Sequence, residues 1–242
     1  MVTIKDITIN HENIEQELKQ IPKIKPRQLI YISRHRSKTG EPTLTTHPIG
    51  NYGKAEYGGK SRKLTPSAPR LMTQLLRIIK KNAKIEKTYH QVCFEVTHHG
   101  PYISVPTLFT EVGSNQKEWE KEKPAEIIAK SLLELFDNYQ CEQDLPRDIP
   151  VIIGLGGGHY APRFTDIALS KKVAFGHMIP NYQIEAGNIN EEILKQTLEA
   201  TPNVEGVYIH KKALKKSKVT EYKKWFQNAN IPVISSKELI DL

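Results

Sequence analysis

Histidines recur in this chain where a parallel sheet would gather reactive groups. The predicted strand 28–33 runs into Ser33, Arg34 and His35. Strand 89–97 runs into His98 and His99, followed by Gly100 and Pro101. Strand 151–155 runs into Gly156, Gly157, Gly158, His159 and Tyr160, and a fourth strand, 107–112, ends near Glu111. In open parallel sheets, ligands collect beyond the carboxyl ends of the strands, so these groups are expected to meet in one crevice. Histidines with a carboxylate and one open position are the ligand set of a catalytic zinc. His98, Glu111 and His159 could supply that set, leaving His99 and His35 for proton transfer or orientation, although the spacing does not fix the assignment. Successive side chains of a regular strand point to opposite faces. Either the strand ends before His98 and His99, or the two serve different partners.

Other chemistries find less support. The run GLGGGHYAPR (154–163) lacks the third glycine of a dinucleotide fingerprint and the Gly-Lys-Ser/Thr of a nucleoside-triphosphate loop. Its glycine amides could still face an anion or a carbonyl, or simply make a tight strand-to-helix turn. No GxSxG elbow is present. The two cysteines, Cys93 in mid-strand and Cys141 after a helix, exclude a disulfide framework and a four-cysteine zinc knot, and suggest a reducing compartment.

The elements that must position these residues alternate. Short helix 11–20 precedes strand 28–33. A long stretch rich in Gly, Pro and Thr follows, without helical periodicity, of the kind that is functional or mobile in compact domains. Helix 68–82, with Ser67 as cap and Pro69 in its first turn, turns Leu71, Leu75, Leu76 and Ile79 inward. After strands 89–97 and 107–112 comes a helix from Pro124 to about 138, with Ile127, Ile128, Leu132, Leu135 and Phe136 inward. Strand 151–155, a helix from 162, strand 173–179, helix 190–200, strand 206–210, helix 217–229 and a short strand 232–235 complete the chain. This pattern predicts an α/β fold with a largely parallel sheet. Residues 1–242 read as a single catalytic domain, with a possible inserted basic helix-loop subdomain at 52–87.

The net charge of +8 is unevenly spread. Residues 1–53 carry +3, 54–87 carry +8, 88–200 carry −7 and 201–242 carry +4. Two basic blocks thus flank an acidic middle, a layout that attracts polyanions such as nucleic acid. Arg77, Lys80 and Lys81 on helix 68–82, and Lys211, Lys212, Lys215 and Lys216 in KKALKKSKVTEYKKW (211–225), are candidate phosphate contacts; Trp225 reads as buried beneath the lysines. No apolar run is long enough to span a membrane, and the first ten residues lack a basic start followed by an apolar run, so no secretory signal is expected.

Three long motifs, SRHRSKTGEPTLTTHPIGN (33–51), VTHHGPYISVPTLFTEVGS (96–114) and GLGGGHYAPR (154–163), together resemble the archaeal- and plant-type D-aminoacyl-tRNA deacylases. The resemblance covers residues 28–180 in the right order, and the flanks match only in layout. It implies a three-layer α/β/α fold of the phosphorylase/hydrolase-like kind, a cytoplasmic location, zinc dependence, and hydrolysis of the ester joining a D-amino acid to the 3′ end of tRNA. It also marks Ser33, Arg34, His47, Gly50, Asn51 and Gly156 to Gly158 as substrate-binding candidates. Such an enzyme would select the D form by clashing with the L form or leaving its amine unpaired. The rival readings are a metal-dependent peptidase or amidase, which would respond little to salt, and a non-catalytic RNA-binding protein, which would tolerate loss of His98 and His159.

Overall fold

A computed structural model describes residues 1–3, 7–138 and 148–242. Cys141 lies outside the described residues. The elements in chain order are α1 (Ile14–Lys19), β1 (Leu29–Arg36), β2 (Thr43–His47), β3 (Gly50–Asn51), β4 (Lys63–Leu64), α2 (Pro69–Ile85), β5 (Gln91–Phe94), β6 (Thr107–Ser114), α3 (Gln116–Trp119), α4 (Glu122–Asn138), β7 (Val151–Leu155), α5 (Pro162–Ser170), β8 (Ala174–Ile179), α6 (Asn181–Glu185), α7 (Glu191–Glu199), β9 (Val204–Ile209) and α8 (Lys216–Asn228).

The strands form two main sheets with mostly parallel pairing, as the α/β alternation predicts. One has the order β1-β6-β2-β5, the other β8-β7-β9, and β3 and β4 make a separate ribbon. All pairs in the second sheet are parallel, as are β1 with β6 and β2 with β5; β2 runs antiparallel to β6. The strand β2 lies inside the stretch expected to be loop. Its five residues are fully buried, and tertiary pairing between β6 and β5 overrides its Thr-rich, Pro-flanked composition.

Period-two alternation gives the first sheet two different faces. Ile30, Leu44, Val92, Phe94, Leu108 and Val112 point into the main core with α2 and α4. The opposite face carries Tyr31 and Phe109, which pack with Ile14, Leu18, Ile49 and Ile103, and beside them the polar residues of the site. The second sheet is covered on both faces. Ile152 and Phe175 meet α2 and α5 in the main core, while Ile153, Leu155, Val207 and Ile209 meet α7 and α8.

Within residues 52–87, helix α2 packs into the main core. Leu71, Met72, Leu75, Leu76 and Ile79 of α2 are buried in the main core, and the Phe175 amide of β8 donates to Thr73 Oγ1 at 3.1 Å. The cap of α2 is Ala68, because Ser67 instead donates its hydroxyl to the Ala200 carbonyl. Phe136 of α4 faces outward, 51% exposed, although Ile127, Ile128, Leu132 and Leu135 are buried. The 232–235 segment makes a single bridge, Val233 with Val207, in place of a strand.

Beyond β5 the chain stitches the two sheets together. The Val96 amide donates to His159 O at 2.9 Å, and the Thr97 amide to Met178 O at 3.0 Å. This seam brings the residues after β5 against the loop that carries His159.

Candidate active site

The sheet register dictates half of the site. Ser33 of β1 and Thr45 of β2 both lie opposite Glu111 of β6, and Thr45 lies opposite Cys93. Paired residues share a face and so do residues two apart, so His35, Glu111, His47 and Glu95 all rise from one face. His35 is opposite Gly113. A Cβ there would stand 2.3 Å from Thr43 Oγ1 and 3.1 Å from the His35 ring, so only glycine leaves that imidazole its place. The site therefore rests on a sheet face and not, as expected, on a row of equivalent strand ends.

The other half comes from the two loops joined by the seam. The strand before His98 has ended at Phe94, and His99 takes φ +45°, in the left-handed region. Both rings consequently enter the same cluster, their centroids 4.4 Å apart. Gly100 permits the turn to be covered: its amide donates to Tyr57 O, and a Cβ would lie 2.1 Å from the Gly59 amide nitrogen.

Five imidazoles surround two buried carboxylates. Glu95 Oε2 lies 2.9 Å from His159 Nε2, 3.3 Å from His35 Nδ1 and 3.4 Å from His98 Nε2. Glu111 Oε2 lies 3.6 Å from both His35 Nδ1 and His47 Nε2. Glu95 and His47 are wholly buried, whereas His159 is 34% exposed at the mouth. Burial opposes ionisation of the carboxyls, yet the neighbouring imidazoles prevail and hold Glu95 and Glu111 below the usual range. Burial likewise pulls His35 and His47 down, but the bond to Glu111 and the charges of both carboxylates push them net upward. His98 and His99 go the other way, His99 to about 4, through burial and the charge of His47.

These opposed shifts have one physical meaning. Two ionised carboxylates in a low-dielectric site require about two positive charges, supplied either by protons on His35 and His47 or by one divalent cation. The donors suit the cation. The Nδ1 atoms of His47, His98 and His99 lie against the carbonyls of Pro48, Val96 and Gly100 at 3.1, 2.8 and 2.6 Å. Such bonds fix the tautomer and leave each Nε2 lone pair free, the outer-shell pattern of metal-binding histidines. His47 Nε2 and both Glu95 oxygens are buried without a well-aligned hydrogen bond in the protein, an arrangement that an ion would satisfy. Three groups have ligand atoms within 4.8 Å of one another: His47, His98 and His99; His35, Glu95 and His159; and His47, Glu95 and Glu111.

The ligand set expected from sequence, His98, Glu111 and His159, is not among these groups. Glu111 faces His35 and His47, and His159 faces Glu95, so the acid nearest both His98 and His159 is Glu95. Glu95 was hidden by its apolar strand; the signal was a lone acid among Val92, Cys93, Phe94 and Val96, three residues before His98. His47, expected to bind substrate, is completely buried and belongs to the cluster itself.

Several other expected contacts have structural roles. The Gly50 amide donates to His99 O at 2.8 Å. Asn51 donates to Gly58 O at 2.9 Å and holds the covering loop. The Gly156 and Gly157 amides are committed to Ile179 O and Asn181 Oδ1, which leaves Gly158 as the exposed glycine of the three. Arg77 donates to the carbonyls of Ala168, Lys171 and Val173, which gives its guanidinium a structural role. Lys81 pairs with Glu134, while Lys80 is exposed. Lys211, Lys212, Lys215 and Lys216 are exposed, and Leu214 between them lies against Gly156. That basic segment thus sits directly behind the His159 loop. Ser33 and Arg34 line a cleft of about 1430 Å³ whose wall includes His35, His98, His99, Glu111 and His159. The Tyr160 hydroxyl lies 3.2 Å from His35 Nε2.

Among the described residues no helix is long and apolar enough to cross a membrane. Residues 22–234 match the family model described as D-aminoacyl-tRNA deacylase. A curated protein of that name from Pyrococcus abyssi is 36% identical over 216 residues, 89% of this chain and 76% of its own length. Its namesake from Methanosarcina acetivorans is 32% identical over 99% of this chain and 77% of its own. The crystal structure of conserved protein of unknown function AF0625 superposes with a TM-score of 0.86 at 30% identity, covering 97% of this chain and 79% of that one.

Proposed function

Because the chain belongs to the D-aminoacyl-tRNA deacylase family, we propose that its histidine–carboxylate centre hydrolyses the ester of D-aminoacyl-tRNA in the cytoplasm, releasing the free D-amino acid and tRNA. The observation that carries this reading is the pair of carboxylates, Glu95 and Glu111, buried among five imidazoles that line or underlie a cleft. Peptide and ester hydrolysis share such centres, and the cations around this one favour a polyanionic substrate.

His47, His98 and His99 would hold a zinc ion. Bound there, zinc supplies Lewis acidity to the ester carbonyl and acidifies water. His99, neutral and with Nδ1 occupied, suits ligation better than the proton transfer expected of it. Proton transfer falls instead to Glu95 and the two imidazoles on its outer side. Glu95 accepts a proton from the attacking water and is held by His35, whose other nitrogen is bonded to Tyr160. His159, at the mouth and 2.9 Å from Glu95, returns that proton to the departing ribose oxygen. Lys211, Lys212, Lys215 and Lys216, behind the His159 loop, meet phosphates of the tRNA body.

The test is release of labelled D-amino acid from charged tRNA, beside an L-aminoacyl control and with chelator. Release that needs metal and spares the L form is expected. Hydrolysis of small peptides with little salt dependence, and none of D-aminoacyl-tRNA, would establish the peptidase alternative.

A further inference from the structure

The cleft does not stop at the histidines. It continues around the free edge of β1, the outermost strand of its sheet. Ser33 and His35 point to the cluster, so Ile32, Arg34 and Arg36 point the other way, toward α3 and α4. There Trp119 and Ala129 line the same cleft. Trp119 is anchored through its ring: Nε1 donates to the carbonyl of His35 at 2.9 Å. The Arg34 guanidinium lies over the indole, 5.0 Å from the ring centroid. A single residue, His35, therefore connects the reacting centre on one side of the strand to an aromatic–guanidinium stack on the other.

The charge of this outer half is one-sided. Arg34, Arg36 and Lys38 are exposed and have no carboxylate partner among the described residues. Among the described residues, the only acid lining the cleft is the buried Glu111. An exposed guanidinium over a half-buried indole, two neighbouring cations and an apolar floor beside an esterase centre match single-stranded nucleic acid, whose bases stack on aromatic rings or guanidinium planes while its phosphates meet Lys and Arg. A polypeptide strand added to β1 would satisfy the edge but not the cations.

We propose that Arg34 and Trp119 form a platform for the 3′-terminal nucleobase of the tRNA, with Arg36 and Lys38 on the adjoining phosphates. The proposal rests on the deacylase reading for the identity of the RNA, and the platform itself is testable without any chemistry. The probe is a short 5′-labelled oligoribonucleotide ending as tRNA does, compared by fluorescence anisotropy with the same strand made abasic at its last position.

For the wild type, removing the last base should weaken binding about tenfold, as expected of one stacked base. Arg34→Ala and Trp119→Ala should bind both strands equally and weakly, whereas Trp119→Phe, which keeps a π face, should retain most of the preference. Arg36→Gln and Lys38→Gln should preserve it and each lower the salt slope by about 0.7. Arg34 is exposed, so its variant remains informative if Trp119→Ala fails to fold. An undiminished base preference in folded Arg34→Ala overturns the platform. A platform that behaves as described in a protein that hydrolyses no aminoacyl ester would overturn the deacylase reading alone.

Discussion

His159 Nε2 lies 2.9 Å from the wholly buried carboxylate of Glu95. The two residues follow strands of different sheets and meet because the Val96 amide donates to the backbone carbonyl of His159. The seam between the sheets is thus also the bond that assembles the centre. Glu95 reaches inward to His35 and His98, and His159 outward to solvent, so this pair is the route between a buried charge and the substrate.

Glu95→Gln keeps the volume and removes the charge. A catalysing acid–base group contributes typically about 10²–10⁴-fold, so single-turnover deacylation should fall by at least about 100-fold while circular dichroism stays native. A drop under tenfold in a folded variant would move proton transfer to Glu111.

The three imidazoles with carbonyl-bound Nδ1 atoms should govern zinc content. His47→Ala, His98→Ala and His99→Ala should each lose bound zinc by elemental analysis, and chelation of the wild type should lower its Tm, because an ion bound only to the native state stabilises it. His159→Ala should keep its zinc and lose turnover. Loss of zinc from that variant would place the ion in the alternative group of His35, Glu95 and His159.

What the sequence showed of this site, and what it hid, follows from how each residue is presented. His35, His98, His99 and His159 stand next to glycines or charged residues at the limits of apolar runs, and were legible. Glu95 and His47 lie inside buried segments whose partners are long-range strands, and a one-dimensional pattern carries no register. The same gap made β2 look like loop and His98, Glu111 and His159 look like one ligand set. Lysines and arginines were the opposite case: their charge was plain and their partners were not, which is why Arg77 read as a phosphate contact.

Arg77→Met tests that last distinction. Its guanidinium satisfies three carbonyls at the end of α5 and the start of β8. Truncation leaves them without a charged donor, a loss of about 2–4 kcal/mol of stability by denaturant unfolding. Binding of tRNA should be unaltered at a temperature where the variant is folded. A weakened tRNA affinity with normal stability would return Arg77 to the RNA interface.

His177 gives the protein a stability that depends on pH away from the catalytic residues. It is completely buried, with Nε2 donating to Thr65 O at 3.0 Å and Nδ1 3.1 Å from the Thr97 hydroxyl. Burial lowers its pKa from 6.5 to about 4, against the smaller upward pull of the backbone bonds. The folded state therefore holds the neutral ring while the unfolded chain binds a proton below 6.5. This contribution is fully present above that pH, declines as the solution is acidified, and is exhausted once the pH passes below about 4. Between pH 7.5 and 5 it should remove about 2 kcal/mol from the unfolding free energy. Other buried imidazoles add their own losses, so the quantity to measure is the difference between wild type and His177→Gln across that interval by urea unfolding. The variant should be less stable at pH 7.5 and should lose about 2 kcal/mol less on acidification. Equal losses in the two proteins would mean that His177 is already protonated in the fold, with Thr97 accepting from Nδ1.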